Sequence, residues 1–233
     1  MSLRDPRLKR RGANSISCYN ISLHSEEIAS LRSQRHFKPM ILPRDFYDRP
    51  TLIVARELIG ARLVRILSGK KLVGLIVETE AYISEKDLAC HCKAGRTPRT
   101  QVMYGEAGHA YVYFTYGNHW MFNVVTERMD FPAAVLIRAI QPIEGVEVML
   151  KRREGRDTFG PGKLTQAMGI TKRENTVDLT EPASPLRIEA GVQVPNSLVT
   201  KSPRVGLNNT PEPWLSKPWR FKVKDWKIEN KSV

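Results

Sequence analysis

The sequence predicts a single α+β domain, and three observations carry that expectation. Two pairs of strand-like runs are each joined by a tight turn, a further apolar run follows them, and short segments bounded by Pro or Gly read as helices between and after the strands. At 233 residues the chain suits one domain of ordinary size with an appendage, long enough to bury a real core.

Residues 1–40 stand apart. They carry Arg4, Arg7, Lys9, Arg10, Arg11, Arg32, Arg35 and Lys38 against only Asp5, Glu26 and Glu27, with few large apolar residues and no clear period. We read them as a basic, disordered extension with a short helix at Glu26 to Ser33. The segment serves either as an arm for phosphate contacts or, by a weak likeness, as an organellar transit peptide. The domain then spans residues 41–226, and residues 227–233 are a tail.

Asp48 followed by Pro50 signals a helix start; Leu52, Ile53, Leu58 and Ile59 form its apolar stripe and Gly60 its stop. Residues 61–67 and 72–82 read as a hairpin about Ser68-Gly69-Lys70-Lys71. Ser84 and Asp87 have capping-box spacing, which predicts a short helix carrying His91 near the strand's end, and Thr97-Pro98-Arg99 reads as a turn. Residues 109–116 and 119–125 form a second hairpin about Gly117-Asn118. Residues 133–140 make a third strand that contains Arg138, and Pro142 opens a helix through Leu150. Gly160 to Gly169 reads as a glycine-rich entry to a short helix, and residues 186–189 and 220–224 as further strands.

Lys+Arg 37 against Asp+Glu 24 gives a net charge of +13, with a pI near 9.9, which favours a polyanionic partner, nucleic acid ahead of an acidic membrane surface. No run of about 18 uncharged apolar residues is present, so the sequence predicts no bilayer span. Cys18, Cys90 and Cys92 lack disulfide-framework spacing, which fits a reducing compartment, and Cys90-His91-Cys92 lacks the paired spacing of common zinc sites.

The candidate chemistry lies on the strand Leu75-Ile76-Val77-Glu78-Thr79-Glu80-Ala81-Tyr82. Alternation puts Glu78, Glu80 and Tyr82 on one face. Two carboxylates at the end of an apolar strand are either solvated or part of a site where burial of charge is tolerated. Tyr111 and Tyr113 likewise share a face, which is either an ordinary tyrosine-rich hairpin or a stacking surface. Tyr116 has the opposite parity, at the hairpin tip. A metal-dependent nuclease using Glu78, Glu80, His91 and the nearby Cys90 and Cys92, and a non-catalytic nucleic-acid binding module, are both compatible with these residues alone.

In order, Val77-Glu78-Thr79-Glu80-Ala81-Tyr82, His91, Thr97-Pro98-Arg99, Tyr111-Val112-Tyr113, Tyr116-Gly117, Asn123, Leu136-Ile137-Arg138-Ala139, Gly160-Pro161-Gly162-Lys163-Leu164 and Arg204-Val205-Gly206 closely resemble the alkyladenine (3-methyladenine) DNA glycosylase family, from about Leu42 to about Lys224. The resemblance implies one mixed domain around a curved antiparallel β-sheet, with surrounding helices and a protruding hairpin, like the C-terminal domain of formyltransferases. It implies a monomeric base-excision repair enzyme that needs no cofactor or metal. Its partner is duplex DNA containing damaged purines, with no membrane involved; the compartment is the cytoplasm with its nucleoid in a bacterium, or the nucleus or an organelle in a eukaryote. Such an enzyme flips 3-methyladenine, 7-methylguanine, hypoxanthine or ethenoadenine from the duplex and hydrolyses the N-glycosidic bond. By position, Glu80 resembles the general base and Arg138 the buried base that orients the water. Tyr82 and Tyr113 resemble the walls around the flipped base, with His91 as its hydrogen-bonding partner and Asn123 crowding the exocyclic amino group of guanine. Tyr116 resembles the wedge inserted into the duplex, and Arg99, Gly162, Lys163 and Arg204 the contacts to its backbone. Cys92, Thr100 and Asn118 depart from the family pattern as we know it.

Overall fold

The computed structural model describes residues 19–21, 40–115, 117–207, 209–224 and 228–230. Within the unit Gln34–Asp225 the chain builds an antiparallel sheet around which a few short helices pack. By itself, the second unit, drawn from the two termini, pairs β1 (Tyr19–Ile21) with β10 (Ile228–Asn230). Apart from Tyr19–Ile21 and Met40, the disorder and the short helix expected for residues 1–40 lie outside the described residues.

After the single turn α1 (Arg44–Tyr47), Pro50 starts α2 (Thr51–Glu57). The expected hairpin of β2 (Arg62–Leu67) and β3 (Lys70–Ile83) follows, with a tighter turn than expected: Lys70 and Lys71 already pair with Leu67 and Ile66, so that Ser68-Gly69 alone makes the turn. A second hairpin joins β4 (Ala110–Thr115) to β5 (His119–Val125), and β6 (Ala133–Glu144) completes the central strands. Helices α3 (Val146–Arg152) and α4 (Pro161–Met168) come next, then β7 (Leu186–Glu189), β8 (Val199–Ser202) and β9 (Arg220–Val223). The sheet order is β4-β5-β6-β3-β2-β7, with β9 joined to both β3 and β8.

The length of β3 is what curls this sheet. One edge of β3 cannot hold two neighbours at the same level, so β2 takes Lys70 to Leu75 and β9 takes Glu78 to Glu80. Against β6 the register slips three times; beyond the shift at Ile143 of β6, Val77 is extra on β3 and Arg138 is extra on β6. Such bulges bend a strand and re-aim its side chains, and the latter two fall beside the glutamates. Across the other face, the Thr79 hydroxyl donates to the Ala55 carbonyl at 2.8 Å, tying β3 to α2. Val54, Leu58, Ile76 and Ile137 are fully buried there.

Two further sequence expectations need correction. No helix starts at Ser84, whose φ of +61° departs from the extended backbone that an N-cap requires; the short helix expected to carry His91 is a 3₁₀ turn that begins only at His91. Asp87 instead accepts from the backbone N–H of Ala89 and turns its carboxylate to Arg204. Pro142 does not open a helix, because β6 runs through it to Glu144, and the helix begins only after Gly145, whose φ of +69° makes the break. There a Cβ would lie 2.5 Å from a Leu72 methyl.

Candidate active site

Strand pairing assembles the site in one row. Tyr111 on β4 stands opposite Asn123 on β5, Asn123 opposite Leu136 on β6, Leu136 opposite Glu80 on β3, and Glu80 opposite Arg220 on β9. Cross-strand partners share a face, so five strands contribute to one wall. A cleft of about 730 Å³ opens over it, lined by Tyr82, His91, Tyr111, Tyr113, Asn123, Leu136 and Arg138 and closed by Gly160–Lys163 and by Val205–Leu207. Its size fits a small organic group.

Glu80 is fully buried and lies beneath this wall, whereas its partners Tyr82, Arg138 and Val205 line the cleft. Oε1 accepts the Val205 backbone N–H at 2.7 Å and faces Arg138 Nη1 at 3.3 Å, while Oε2 accepts the Tyr82 hydroxyl at 2.8 Å. Burial pushes the Glu80 carboxyl above the ordinary carboxylate range, and the charge of Glu78 adds to this. Arg138, the Val205 N–H and the Tyr82 O–H oppose it by favouring the anion.

Glu78 has a different environment. Its Oε1 accepts from Arg138 Nε at 2.9 Å and Arg220 Nε at 2.6 Å, so it bridges two arginines. The bulge at Arg138 places one guanidinium against both glutamates, and the solvated reading of the pair fails on burial.

His91 heads a 3₁₀ turn (His91–Ala94). Its Nδ1 lies 3.0 Å from the Tyr111 hydroxyl and its ring meets Tyr113 edge-on, with centroids 4.5 Å apart. Burial, with the nearby charges of Arg99 and Lys93, pushes its pKa down to about 4, so the imidazole is neutral at physiological pH. The Asn123 amide donates to the Tyr111 carbonyl at 3.1 Å and is buried.

Cys90 and Cys92, expected to be unpaired, are joined by a disulfide across His91. The extended backbone of Cys90 ahead of the tight turn brings their Cα atoms to 5.2 Å. Among the described residues no group of three or more His, Cys, Asp or Glu side chains comes together, and no helix is long and apolar enough to cross a membrane.

The expected backbone contacts separate. Arg99 is exposed at the cleft edge, with its guanidinium 4.9 Å from the Tyr113 ring centroid. Lys163, half-exposed at the start of α4, makes an ion pair with Asp157 at 3.1 Å. Gly162 is buried, and a Cβ there would come 2.7 Å from the His119 ring. Arg204 corrects the expectation for it: the side chain is wholly buried, bidentate to Asp87 at 2.5 and 2.9 Å, and donates to the Ala81 carbonyl. It stacks between Tyr82 at 4.7 Å and Trp219 at 5.0 Å, which leaves it no path to a phosphate. Tyr116 lies outside the described residues.

Sequence reading gives no site role to Leu136 or the Val205 N–H, places Tyr111 only on the Tyr113 face, and treats Asp87 as a capping residue. Tyr111 and Leu136 could have been found by extending the strand register across the sheet; a backbone donor leaves no trace in side-chain identity.

A sequence profile of the methylpurine-DNA glycosylase family (MPG) matches residues 45–227. A relative from Myxococcus xanthus, provisionally named a 3-methyladenine DNA glycosylase, is 49% identical over 184 residues, covering 79% of this chain and 90% of its own length. Relatives with the same provisional name are 48% identical in Methanocella arvoryzae, over 78% of this chain and 91% of theirs, and 43% identical in Carboxydothermus hydrogenoformans, over 82% and 100%.

Proposed function

The chain belongs to the methylpurine-DNA glycosylase family, and from that premise we propose that it excises 3-methyladenine and related damaged purines from duplex DNA by hydrolysing the N-glycosidic bond. The observation that carries this reading is a carboxylate sealed beneath an aromatic cleft with its anionic form held in place by Arg138, the Val205 N–H and the Tyr82 O–H.

Glu80 is the general base. A carboxylate offers about four lone-pair sites, and hydrogen bonds occupy two of them, one on Oε1 and one on Oε2, with the Arg138 guanidinium also set against Oε1. The remaining site on Oε2 takes the proton of a water that attacks C1′ of the sugar. Burial raises its pKa above the ordinary carboxylate range, which makes the ionised carboxylate a stronger base, and such positioned transfer contributes roughly 10²- to 10⁴-fold. Arg138, fixed by both glutamates, orients that water and balances the negative charge of the site.

A 3-methylated adenine bound to deoxyribose is already cationic, so it departs neutral and needs no acid on the leaving side. For such cationic bases one catalytic carboxylate therefore suffices, and Glu78 serves to anchor Arg138 and Arg220. Tyr82 and Tyr113 flank the flipped base, each stacked base being worth about 1–3 kcal/mol, and their π-faces favour a cationic purine. His91, neutral and tied to Tyr111, offers a hydrogen bond without repelling that cation. Asn123, buried and anchored to β4, crowds the place of the guanine amino group. Tyr116 fills the gap left by the flipped nucleotide, and Arg99, Lys163 and the backbone at Gly162 hold the phosphates. The active unit is the monomer, and the substrates extend to 7-methylguanine, hypoxanthine and ethenoadenine.

The test is incubation with duplexes carrying each of these bases, followed by alkaline cleavage at abasic sites. Cleavage that depends on the damaged base supports the reading; backbone cuts that need no base loss would replace it with a nuclease.

A further inference from the structure

We propose that the Tyr82 hydroxyl is a positioning group for the Glu80 carboxylate, so that one side chain both walls the base pocket and orients the base that activates water. The inference rests on the glycosylase reading above and deepens it.

A pocket wall needs only a ring, and phenylalanine would supply one. Here the phenol lies on the same strand face as Glu80, and its O–H donates to Oε2 at 2.8 Å. Oε1 is held from two other elements, by the Val205 N–H at 2.7 Å and by Arg138 of β6 at 3.3 Å. With Oε1 fixed, the carboxylate can still turn its second oxygen. The Tyr82 bond removes that freedom and leaves the remaining lone pair of Oε2 in one direction.

The phenol is itself held. Arg204 stacks on its ring at 4.7 Å, donates to the carbonyl of Ala81 one residue before it, and is clamped by Asp87 with no exposed side-chain surface. An arginine buried this way costs stability unless every part of its charge is compensated. Its location directly behind the phenol that donates to Glu80 gives that cost a purpose. Asp87, Arg204, Tyr82 and Glu80 thus form one rigid series running from the loops into the site.

The charged groups that face Glu80 are Arg138 from β6, Arg220 from β9 and Glu78 on its own strand, with the Asp87–Arg204 pair behind Tyr82. Of the groups acting on Glu80 directly, Arg138 and the phenol O–H favour its ionised form, whereas burial and Glu78 oppose it. Deleting the hydroxyl alone therefore raises the pH at which Glu80 ionises, and leaves the stacking ring in place.

Tyr82→Phe separates the two roles. The readouts are single-turnover base release from a 3-methyladenine duplex across pH, and affinity for the same duplex in a Glu80→Gln background that does not turn over. We expect release at neutral pH to fall about tenfold, the loss of one hydrogen bond to a charged acceptor. The acidic limb of the profile moves to higher pH, and affinity is kept within about twofold of the parent, since the stacking face is unchanged. An unchanged rate and limb, or a rate that falls only as affinity falls, overturns the proposal. Should the wild-type enzyme release no purine from any duplex, the glycosylase reading fails first. Should the wild type be active and Tyr82→Phe match it, only this inference fails.

Discussion

Replacing Asp87 by alanine tests how the site is held. The Asp87–Arg204 pair has no exposed side-chain surface on either partner and is bidentate at 2.5 and 2.9 Å. Removing the carboxylate strands a guanidinium that keeps only the Ala81 and Trp214 carbonyls as acceptors. Breaking one partner of a buried pair costs about 3–5 kcal/mol. For a domain of this size each kcal/mol moves the melting temperature by about 2–4 °C, so the expected fall is roughly 6–20 °C. Urea unfolding of the free protein measures it without reference to DNA. The double variant Asp87→Ala, Arg204→Met removes both charges and should recover much of the loss, because the pair couples. A loss below about 1 kcal/mol for Asp87→Ala would refute the reasoning and return Arg204 to the role of an accessible phosphate contact, in which Arg204→Met weakens DNA binding and leaves stability unchanged.

Further predictions follow from the same geometry. His91 should titrate near 4 in an NMR pH series of the free protein, because burial, Arg99 and Lys93 all depress it. Since the folded pKa lies below the unfolded value of about 6.5, this contribution to stability is complete above that value and is lost as pH falls from there through 4. A measured pKa above 6 would contradict the neutral-imidazole account of base recognition. Gly162→Ala should cost about 1–3 kcal/mol in urea unfolding, since the added Cβ meets the His119 ring at 2.7 Å near its attachment, where the side chain cannot swing away. Lys163→Ala should weaken binding uniformly across duplex sequences and lower the slope of log affinity against log salt by about 1 in magnitude, an unchanged slope showing that Asp157 keeps the ammonium from phosphate.

Much of this was legible in the sequence because its signals are local. The turn signals at Ser68-Gly69-Lys70-Lys71 and Gly117-Asn118 mark two hairpins, although the first turn closes at Ser68-Gly69 alone, and alternation along β3 puts Glu78, Glu80 and Tyr82 on one face as expected. The order of short motifs identified the family before any contact was known. What local signals could not carry were effects of tertiary pairing. Asp87 was read as a capping residue because its spacing from Ser84 allows it, yet a cation 117 positions later claims the carboxylate. The family resemblance assigns Arg204 to the DNA backbone, and only the fold reveals the aromatic slot between Tyr82 and Trp219 that takes it. Pro142 lies within a strand instead of starting a helix because β6 stays paired with β3 as far as Glu144. The bulge at Arg138 also has no local signature, although the arginine itself, in an apolar run, called for an anionic partner.

The central claim is that the buried Glu80 carboxylate performs the chemistry beneath the aromatic cleft. Single-turnover release of 3-methyladenine by Glu80→Gln, set beside its affinity for the same duplex, tests it most directly. The account predicts that binding is retained while release falls by roughly 10²- to 10⁴-fold. Release within tenfold of the wild-type rate, with binding intact, would contradict it and place the catalytic group elsewhere in the cleft.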